Sequence, residues 1–318
     1  MKRTVATSDE ENLRFDVDAV LLDIEGTTTS IKFVKETLFP YIVTEVQRHL
    51  ENTWDTKETQ EDVAAILDQV AKDSSSTETD GSCGLKADDG SVKASKSSEK
   101  LGGDGKSSIE DGNPPESSTE DVRPSTGVGA SSADDRESMI GSVVRAVHEM
   151  VEADRKIGCL KQLQGHMWRK GYADGRLKGH LYEDVPESLK RWRASGVKLF
   201  IYSSGSVEAQ RLLFGHTEYG DLNYVFSGNF DTSSGFKADR TSYSHIADRM
   251  DIPVSRVLFV TDIAAEARAA QCAGMKVLLS DRPGNVAGLE DGEHYPTATT
   301  FNSVHITNGT STRKAKRL

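Results

Sequence analysis

Ala19-Val20-Leu21-Leu22-Asp23-Ile24-Glu25-Gly26-Thr27-Thr28-Thr29 sets four apolar residues against a carboxylate and a turn rich in Gly and Thr. An apolar run with no polar alternation predicts a strand buried on both faces, and the abrupt change at Asp23 puts that carboxylate at the strand's carboxyl end. The same grammar recurs downstream. Val197-Lys198-Leu199-Phe200-Ile201-Tyr202 runs into Ser203-Ser204-Gly205-Ser206, and Val257-Leu258-Phe259-Val260 runs into Thr261-Asp262. Lys276-Val277-Leu278-Leu279 leads to Asp281-Arg282-Pro283-Gly284-Asn285, and Tyr224-Val225-Phe226 reads as a short fifth strand. Helical spacing over 186–194, 207–213, 242–250 and 264–273 separates the strands.

Strands alternating with helices predict an α/β fold, a Rossmann-like doubly wound parallel sheet covered on both faces. Ligands in such sheets bind beyond the carboxyl ends of strands, where strand order reverses, and each polar run above falls at such an end. Between the first and second strands the pattern is helical only, over 33–50, 60–70, 139–151 and 163–177. The expected organisation is therefore a discontinuous core of 16–34 and 183–306 with a helical cap of 35–182 inserted over the crevice, followed by a basic tail, 307–318. Residues 72–138 are Ser, Gly, Asp, Glu and Lys with few large apolar side chains. Such composition cannot bury enough apolar surface to offset chain entropy, so a disordered polar loop is expected, and one whose deletion is tolerated.

That segment also explains the charge. It holds 15 acidic and 8 basic residues, most of the chain's net charge of -11, so the acidity says little about the crevice. Cys83, Cys159 and Cys272 are scattered and odd in number, which fits a reducing compartment. The first residues carry no signal-like apolar stretch, and no run approaches the ~18 apolar residues that span a bilayer, so a cytoplasmic protein without membrane or nucleic-acid partners is expected. Arg313-Lys314-Ala315-Lys316-Arg317 reads as a frayed solvated end first and as a nuclear-import patch second. Asn308-Gly309-Thr310 reads as a chance sequon.

A carboxylate at a strand end can attack phosphorus if a divalent cation screens the repulsion between the two anions, which makes Asp23 the candidate nucleophile and Asp262 a second carboxylate for Mg²⁺. Glu25 is placed to protonate the leaving oxygen and then activate water. Ser203, the Ser204 and Gly205 amides and Lys237 suit the phosphoryl oxygens. Each has a plainer reading: Asp23 as a turn former, Ser203 and Ser204 as helix caps, Lys237 as a solvated charge. Glu266 fits a metal shell less well than the first turn of a helix, beside the positive dipole end. Asp16 and Asp18 read as surface residues. The order of four polar elements at successive strand ends is what favours phosphoryl transfer.

These residues resemble the four motifs of the haloacid dehalogenase superfamily: DIEGT at Asp23, YSSGS at Tyr202, Lys237, and TDIAAE at Thr261. Within it, DIEGTTTSIKFVKETLFPYI, LKQLQGHMWRKGY, IYSSGSVEAQRLLFGHTEYGDL and FDTSSGFK are similar to the enolase-phosphatases, also called acireductone synthases, which share Glu25 where other superfamily phosphatases have Asp. The resemblance implies a monomeric enzyme of methionine salvage with one Mg²⁺ per subunit. Its substrate would be 2,3-diketo-5-methylthiopentyl 1-phosphate, enolised and then dephosphorylated to the acireductone. It implies Asp23, Glu25 and Asp262 as magnesium-associated, Glu25 through its backbone carbonyl, with Ser203, Ser204 and Lys237 on substrate. Glu25 is the expected enolisation base, since its extra methylene carries the carboxyl past the phosphate. His166 and Trp168 in the QGHMW run are either lid residues that close on substrate or a surface His and a core Trp. The competing readings are a plain Mg²⁺-dependent phosphatase of another metabolite and, less favoured because no motif is damaged, a silent scaffold.

Overall fold

The computed structural model describes residues 12–77, 133–285 and 294–309. Six strands form one all-parallel sheet in the order β4-β3-β2-β5-β6-β7. They are β2 (Ala19–Leu22), β3 (Lys198–Tyr202), β4 (Gly228–Phe230), β5 (Val257–Thr261), β6 (Lys276–Ser280) and β7 (Thr297–Ala298). A separate parallel pair joins β1 (Leu13–Asp16) to β8 (Val304–Thr307). The central strand shows why the apolar run was continuous. Val20 and Leu22 enter the cluster holding Trp192, Phe214 and Phe301, while Ala19 and Leu21 enter the opposite one with Tyr243, Ile246 and Phe259. All four are fully buried, as expected of a strand with a packed layer on each side.

The covering helices are α6 (Val185–Ala194) and α7 (Val207–Gly215) on the first face and α8 (Arg240–Met250) and α9 (Ala264–Ala273) on the second. Strand order reverses at β2, which pairs with β3 on one side and β5 on the other, Leu22 lying opposite both Ile201 and Val260. The carboxyl ends of these three strands therefore meet at one place, and the next residues along the chain are Asp23, Ser203 and Asp262.

Between β2 and α6 the chain is helical, as its spacing predicts. A single turn α1 (Ile31–Phe33) passes through a wider π turn, Val34–Leu38, into α2 (Phe39–Thr53). Then follow α3 (Lys57–Thr77), α4 (Ala133–Glu152) and α5 (Gly158–Ala173). Ile42, Val46 and Leu50, four residues apart along α2, meet Val63, Ile66, Val143, Val147, Leu160 and Leu163 in a core of their own. Among the described residues, no helix is long and apolar enough to cross a membrane.

Four boundaries differ from the sequence reading. Both ends of the polar segment 72–138 are helical, because local pairs sustain helix without apolar burial: Lys72 with Asp68 at 2.6 Å, Gln69 Nε2 to Asp73 Oδ1 at 2.8 Å, and Asp134 and Asp135 in the first turn of α4. The rest, 78–132, and the basic run 313–317 lie outside the described residues. Tyr224-Val225-Phe226 is not a strand. Asn223–Val225 is a 3₁₀ turn, nucleated where the Asp221 carboxylate accepts from the Asn223 amide at 2.8 Å, and the strand begins later at Gly228. Thr307 pairs in β8 rather than starting a tail, and the helix expected over 163–177 closes at Ala173, where the Arg176 and Leu177 amides fold back to Gly171 O.

Candidate active site

Asp23 leaves β2 with its amide still donating to Val260 O at 2.9 Å, so the ladder itself fixes the start of the turn. The turn then closes on one carbonyl. The Thr27, Thr28 and Thr29 amides all donate to Ile24 O, at 3.2, 2.9 and 3.0 Å, and the three threonines are fully buried. Gly26 takes φ +72°, which glycine adopts readily, and nothing larger fits there: a Cβ would stand 2.2 Å from Asp262 Oδ2. Asn285 Nδ2 donates to Gly26 O at 2.7 Å, and Arg282 Nε to Thr27 O at 3.4 Å. Arg282 is in turn held by both oxygens of Asp184, at 3.0 and 2.9 Å, with Tyr182 and Phe301 on its faces at 4.5 Å. The loop bearing the candidate nucleophile is thus clamped from β6 and from the start of α6.

Asp23 Oδ1 accepts from the Ile24 amide at 2.8 Å and from Lys237 Nζ at 2.7 Å, while Thr261 Oγ1 stands 3.4 Å from Oδ2. Lys237 also reaches Glu266 Oε2 at 2.8 Å, and Thr261 Oγ1 donates to the same oxygen at 2.9 Å. Glu266 stands in the first turn of α9, as the sequence reading prefers, and from there it also grips the far side of the lysine. The signal was available, since TDIAAE puts it one helical turn beyond Asp262.

Asp23, Glu25, Asp262 and Glu266 place four carboxylates near the Lys237 ammonium, in a cavity that Asp154, Lys35, Lys156 and Lys161 also line. Burial, then the Asp23 charge, raises the Glu25 carboxyl above its ordinary range. The same two causes push Asp262 up to about 7 and raise Glu266 despite its contact with Lys237. Burial alone would lower Lys237, but Asp23 and Glu266 outweigh it and hold the ammonium charged. Buried carboxylates that raise one another in this way are the setting a divalent cation relieves. No cluster of three or more His, Cys, Asp or Glu side chains forms a metal cage among the described residues. Mg²⁺ suits such a place, because it is held by one or two carboxylates with water and substrate oxygens completing its shell. The Gly26 approach brings Asp262 against the Asp23 turn, as a shared cation requires.

These groups open on a cavity of about 640 Å³, lined by Asp23, Glu25, Lys237, Asp262, Glu266 and Ser204, with Ile31, Val34, Phe39, Phe236 and Ile263 beside them. Ser204 faces the cavity. Ser203 is buried next to it, its Oγ accepting from the Gly205 amide at 3.2 Å, so it shapes the loop as well as offering a hydroxyl. From the helical insertion, Lys35, Asp154, Lys156 and Lys161 also line the cavity, and Lys161 on α5 donates to Ser204 O at 3.2 Å. His166 and Trp168 on the same helix do not line this cavity. His166 Nδ1 meets Asp62 Oδ2 at 2.6 Å inside the insertion, and Trp168 donates to Leu38 O at 3.2 Å. Conspicuous residue types drew the sequence reading to those two, whereas Lys161 reads in isolation as one more solvated lysine. Arg282 and Asn285 fall in a polar run that the sequence reading placed at a strand end, but their hold on the Asp23 turn was not legible there.

A family model described as haloacid dehalogenase-like hydrolase matches residues 17–274. Over 289 residues the chain is 40% identical to the enolase-phosphatase E1 of Salmo salar, covering 91% of this chain and 94% of that protein. It is 40% identical over 291 residues to the protein of the same name in Xenopus tropicalis, covering 91% and 95%. It also matches, at 40% identity, 46% of a Populus trichocarpa protein named as a probable bifunctional methylthioribulose-1-phosphate dehydratase/enolase-phosphatase E1, and so spans about half of that relative. Among solved structures, the UTR4 protein of Saccharomyces cerevisiae aligns with a TM-score of 0.59 and 30% identity, over 90% of this chain and 98% of that one.

Proposed function

The chain belongs to the haloacid dehalogenase-like hydrolases and within them to the enolase-phosphatases, and on that premise we propose that it converts 2,3-diketo-5-methylthiopentyl 1-phosphate to the acireductone of methionine salvage through an aspartyl-phosphate on Asp23. The observation that carries the reading is the Asp23 carboxylate, pinned by the Ile24 amide and Lys237 at 2.8 and 2.7 Å, on a cavity it shares with Glu25 and Asp262.

Enolisation comes first. Glu25 takes a proton from C1, the carbon between the phosphate ester oxygen and the C2 carbonyl, and negative charge moves to the carbonyl oxygen. Asp23 then attacks phosphorus, the bond from Asp23 to phosphorus forming as the bond to the ester oxygen breaks, and Glu25 returns its proton to that leaving oxygen. The raised affinity of Glu25 for a proton suits both steps. Water, giving a proton to Glu25, next attacks phosphorus as its bond to Asp23 breaks, releasing phosphate and restoring the Asp23 carboxylate; Glu25 then passes that proton to the enolate oxygen, which completes the enediol and frees Glu25 for the next turnover. Lys237 and Ser204 hold the phosphoryl oxygens, and Glu266 keeps the ammonium charged and aimed. Asp23 and Asp262, with Glu25, would hold a magnesium ion, whose chemistry there would be to screen the phosphate charge and polarise the carbonyl. The helices from α2 to α5 act as a cap, with Lys161 joining them to the β3 loop and so excluding water from the closed site.

The test is Glu25→Gln with the diketone phosphate and Mg²⁺, following the ultraviolet-absorbing enediol and released phosphate separately. Loss of both is expected. Enol formation at the native rate without phosphate release removes Glu25 as the enolisation base, and both activities intact remove it from the mechanism.

A further inference from the structure

Phe236 is 73% exposed, yet its position is rigid. Gly235 before it sits at φ +130°, where a Cβ would stand 2.1 Å from Ser242 Oγ. Gly235 O accepts from the Tyr202 hydroxyl at 3.0 Å, Phe236 O from Ser242 Oγ at 2.8 Å and from the Asp239 amide at 2.9 Å, and Lys237 O from the Tyr243 hydroxyl at 2.7 Å. The strand β3 and helix α8 thus fix three successive residues. The middle one, whose ring has most to gain from burial, is held in the open.

A lone exposed aromatic is ordinary. This one has a neighbour of the same kind. Ile263, 37% exposed, lines the same cavity, and Ile31, Val34 and Phe39 line it from the segment leading into α2. Phe236 is adjacent in sequence to Lys237 and Ile263 to Asp262, so each apolar side chain starts one residue, about 3.8 Å of backbone, from a group that meets the phosphate or its counter-ion. Such a place suits a molecule with a phosphate at one end, a short polar segment, and an uncharged apolar terminus.

We propose that Phe236, with Ile263 beside it, is the residue that reads the apolar tail of the substrate, and that tail length and apolarity are selected here rather than at the phosphate. The proposal rests on the function proposed above. The tail there is a thioether, whose polarisable sulfur packs favourably at the edge of an aromatic ring. Phosphate and carbonyl contacts are common to every diketone phosphate and give no discrimination between them, so selection among chain lengths falls to the apolar surface.

The experiment compares kcat/KM from phosphate release, with Mg²⁺ present, for 2,3-diketo-5-methylthiopentyl 1-phosphate and for the tail-less 2,3-diketobutyl 1-phosphate. The wild-type protein is expected to prefer the long substrate by about a hundredfold, and Phe236→Ala to cut that ratio about tenfold, chiefly through KM. Phe236→Leu, which keeps an apolar surface, should restore most of it. An exposed side chain leaves folding intact, which a thermal scan checks. A Phe236→Ala ratio within about twofold of wild type overturns the proposal, as does a wild-type protein that turns over both substrates equally. A wild-type protein inert to both overturns the function proposed above and this inference with it.

Discussion

Gly26 and Gly175 offer a matched pair of substitutions. Their φ values are +72° and +71°, so alanine costs about 1–2 kcal/mol of backbone strain at either. They differ in what the new methyl group meets. At Gly175 nothing lies within 4 Å; at Gly26 the Cβ would stand 2.2 Å from Asp262 Oδ2, 2.5 Å from Cγ and 3.1 Å from Asn285 Nδ2. Asp262 is 2% exposed and directly follows the central strand β5, so it has little room to move aside. Either its carboxylate retreats to beyond 3.0 Å or the Asp23 turn shifts, and each moves one of these two carboxylates relative to the other by the better part of an ångström.

A displacement near 1 Å between reacting groups costs on the order of 10²-fold in rate. Gly26→Ala is therefore expected to lose about that much in kcat/KM and to need more Mg²⁺ for half-saturation, whereas Gly175→Ala loses only stability, a few degrees at about 2–4 °C per kcal/mol. The assay is phosphate release across a Mg²⁺ titration, with thermal scans of both variants. If Gly26→Ala matches Gly175→Ala in kcat/KM and in Mg²⁺ demand, the contact between Asp262 and the Asp23 turn does not set the geometry of the site.

Glu266→Gln keeps the shape of the side chain but removes one of the two charges on Lys237, and kcat is expected to fall by about 10–100-fold with little change in melting temperature; an unchanged kcat makes Glu266 a bystander. Asp184→Ala strands Arg282, whose side chain is 3% exposed, and is expected to cost about 3–5 kcal/mol in a thermal or denaturant scan, part of it recovered when Arg282→Leu is added. His49 gives a pH dependence with a definite sign. Burial, reinforced by the nearby His166, lowers it to about 4 from ~6.5 in the unfolded chain. The folded state thus disfavours the proton, and the contribution is full above ~6.5 and declines as pH falls towards about 4. His49→Leu should flatten the melting-temperature profile across that interval, and a variant with the wild-type slope would show that another group titrates there.

The parts of this molecule legible in sequence are those where one residue type answers one physical demand. A two-sided strand has to be apolar at every position, so β2 was read to the residue. The polar residues just beyond strand ends were readable because the sheet gathers those ends wherever it reverses. What was missed depends on partners far along the chain. Lys161 acquires meaning only from Ser204, Arg282 only from Asp184 and Thr27, and Phe236 only from a backbone fixed by β3 and α8. The polar segment misled for a different reason. Composition reports whether a segment can bury a core, and a solvated helix that extends from a packed one does not have to.

The crowding of Asp262 against Asp23 leads to one more test, in which sign matters more than size. Burial and the Asp23 charge push Asp262 up to about 7, so in the folded chain without a cation it bears its neighbour's repulsion, although Lys35, Lys156, Lys161 and Lys237 line the same cavity. Mg²⁺ alone should then raise the melting temperature by mass action, before any substrate is present, and a chelator should reverse the rise. Asp262→Asn removes one of the crowded charges and one proposed ligand together. It is expected to raise the melting temperature of the metal-free protein by a few degrees, while abolishing the Mg²⁺-dependent increment. Ordinary damage to a packed strand end runs the other way, lowering the melting temperature in both conditions. A metal-free Asp262→Asn protein less stable than wild type, or one that still gains stability from Mg²⁺, would mean that the carboxylates are arranged around Lys237 alone.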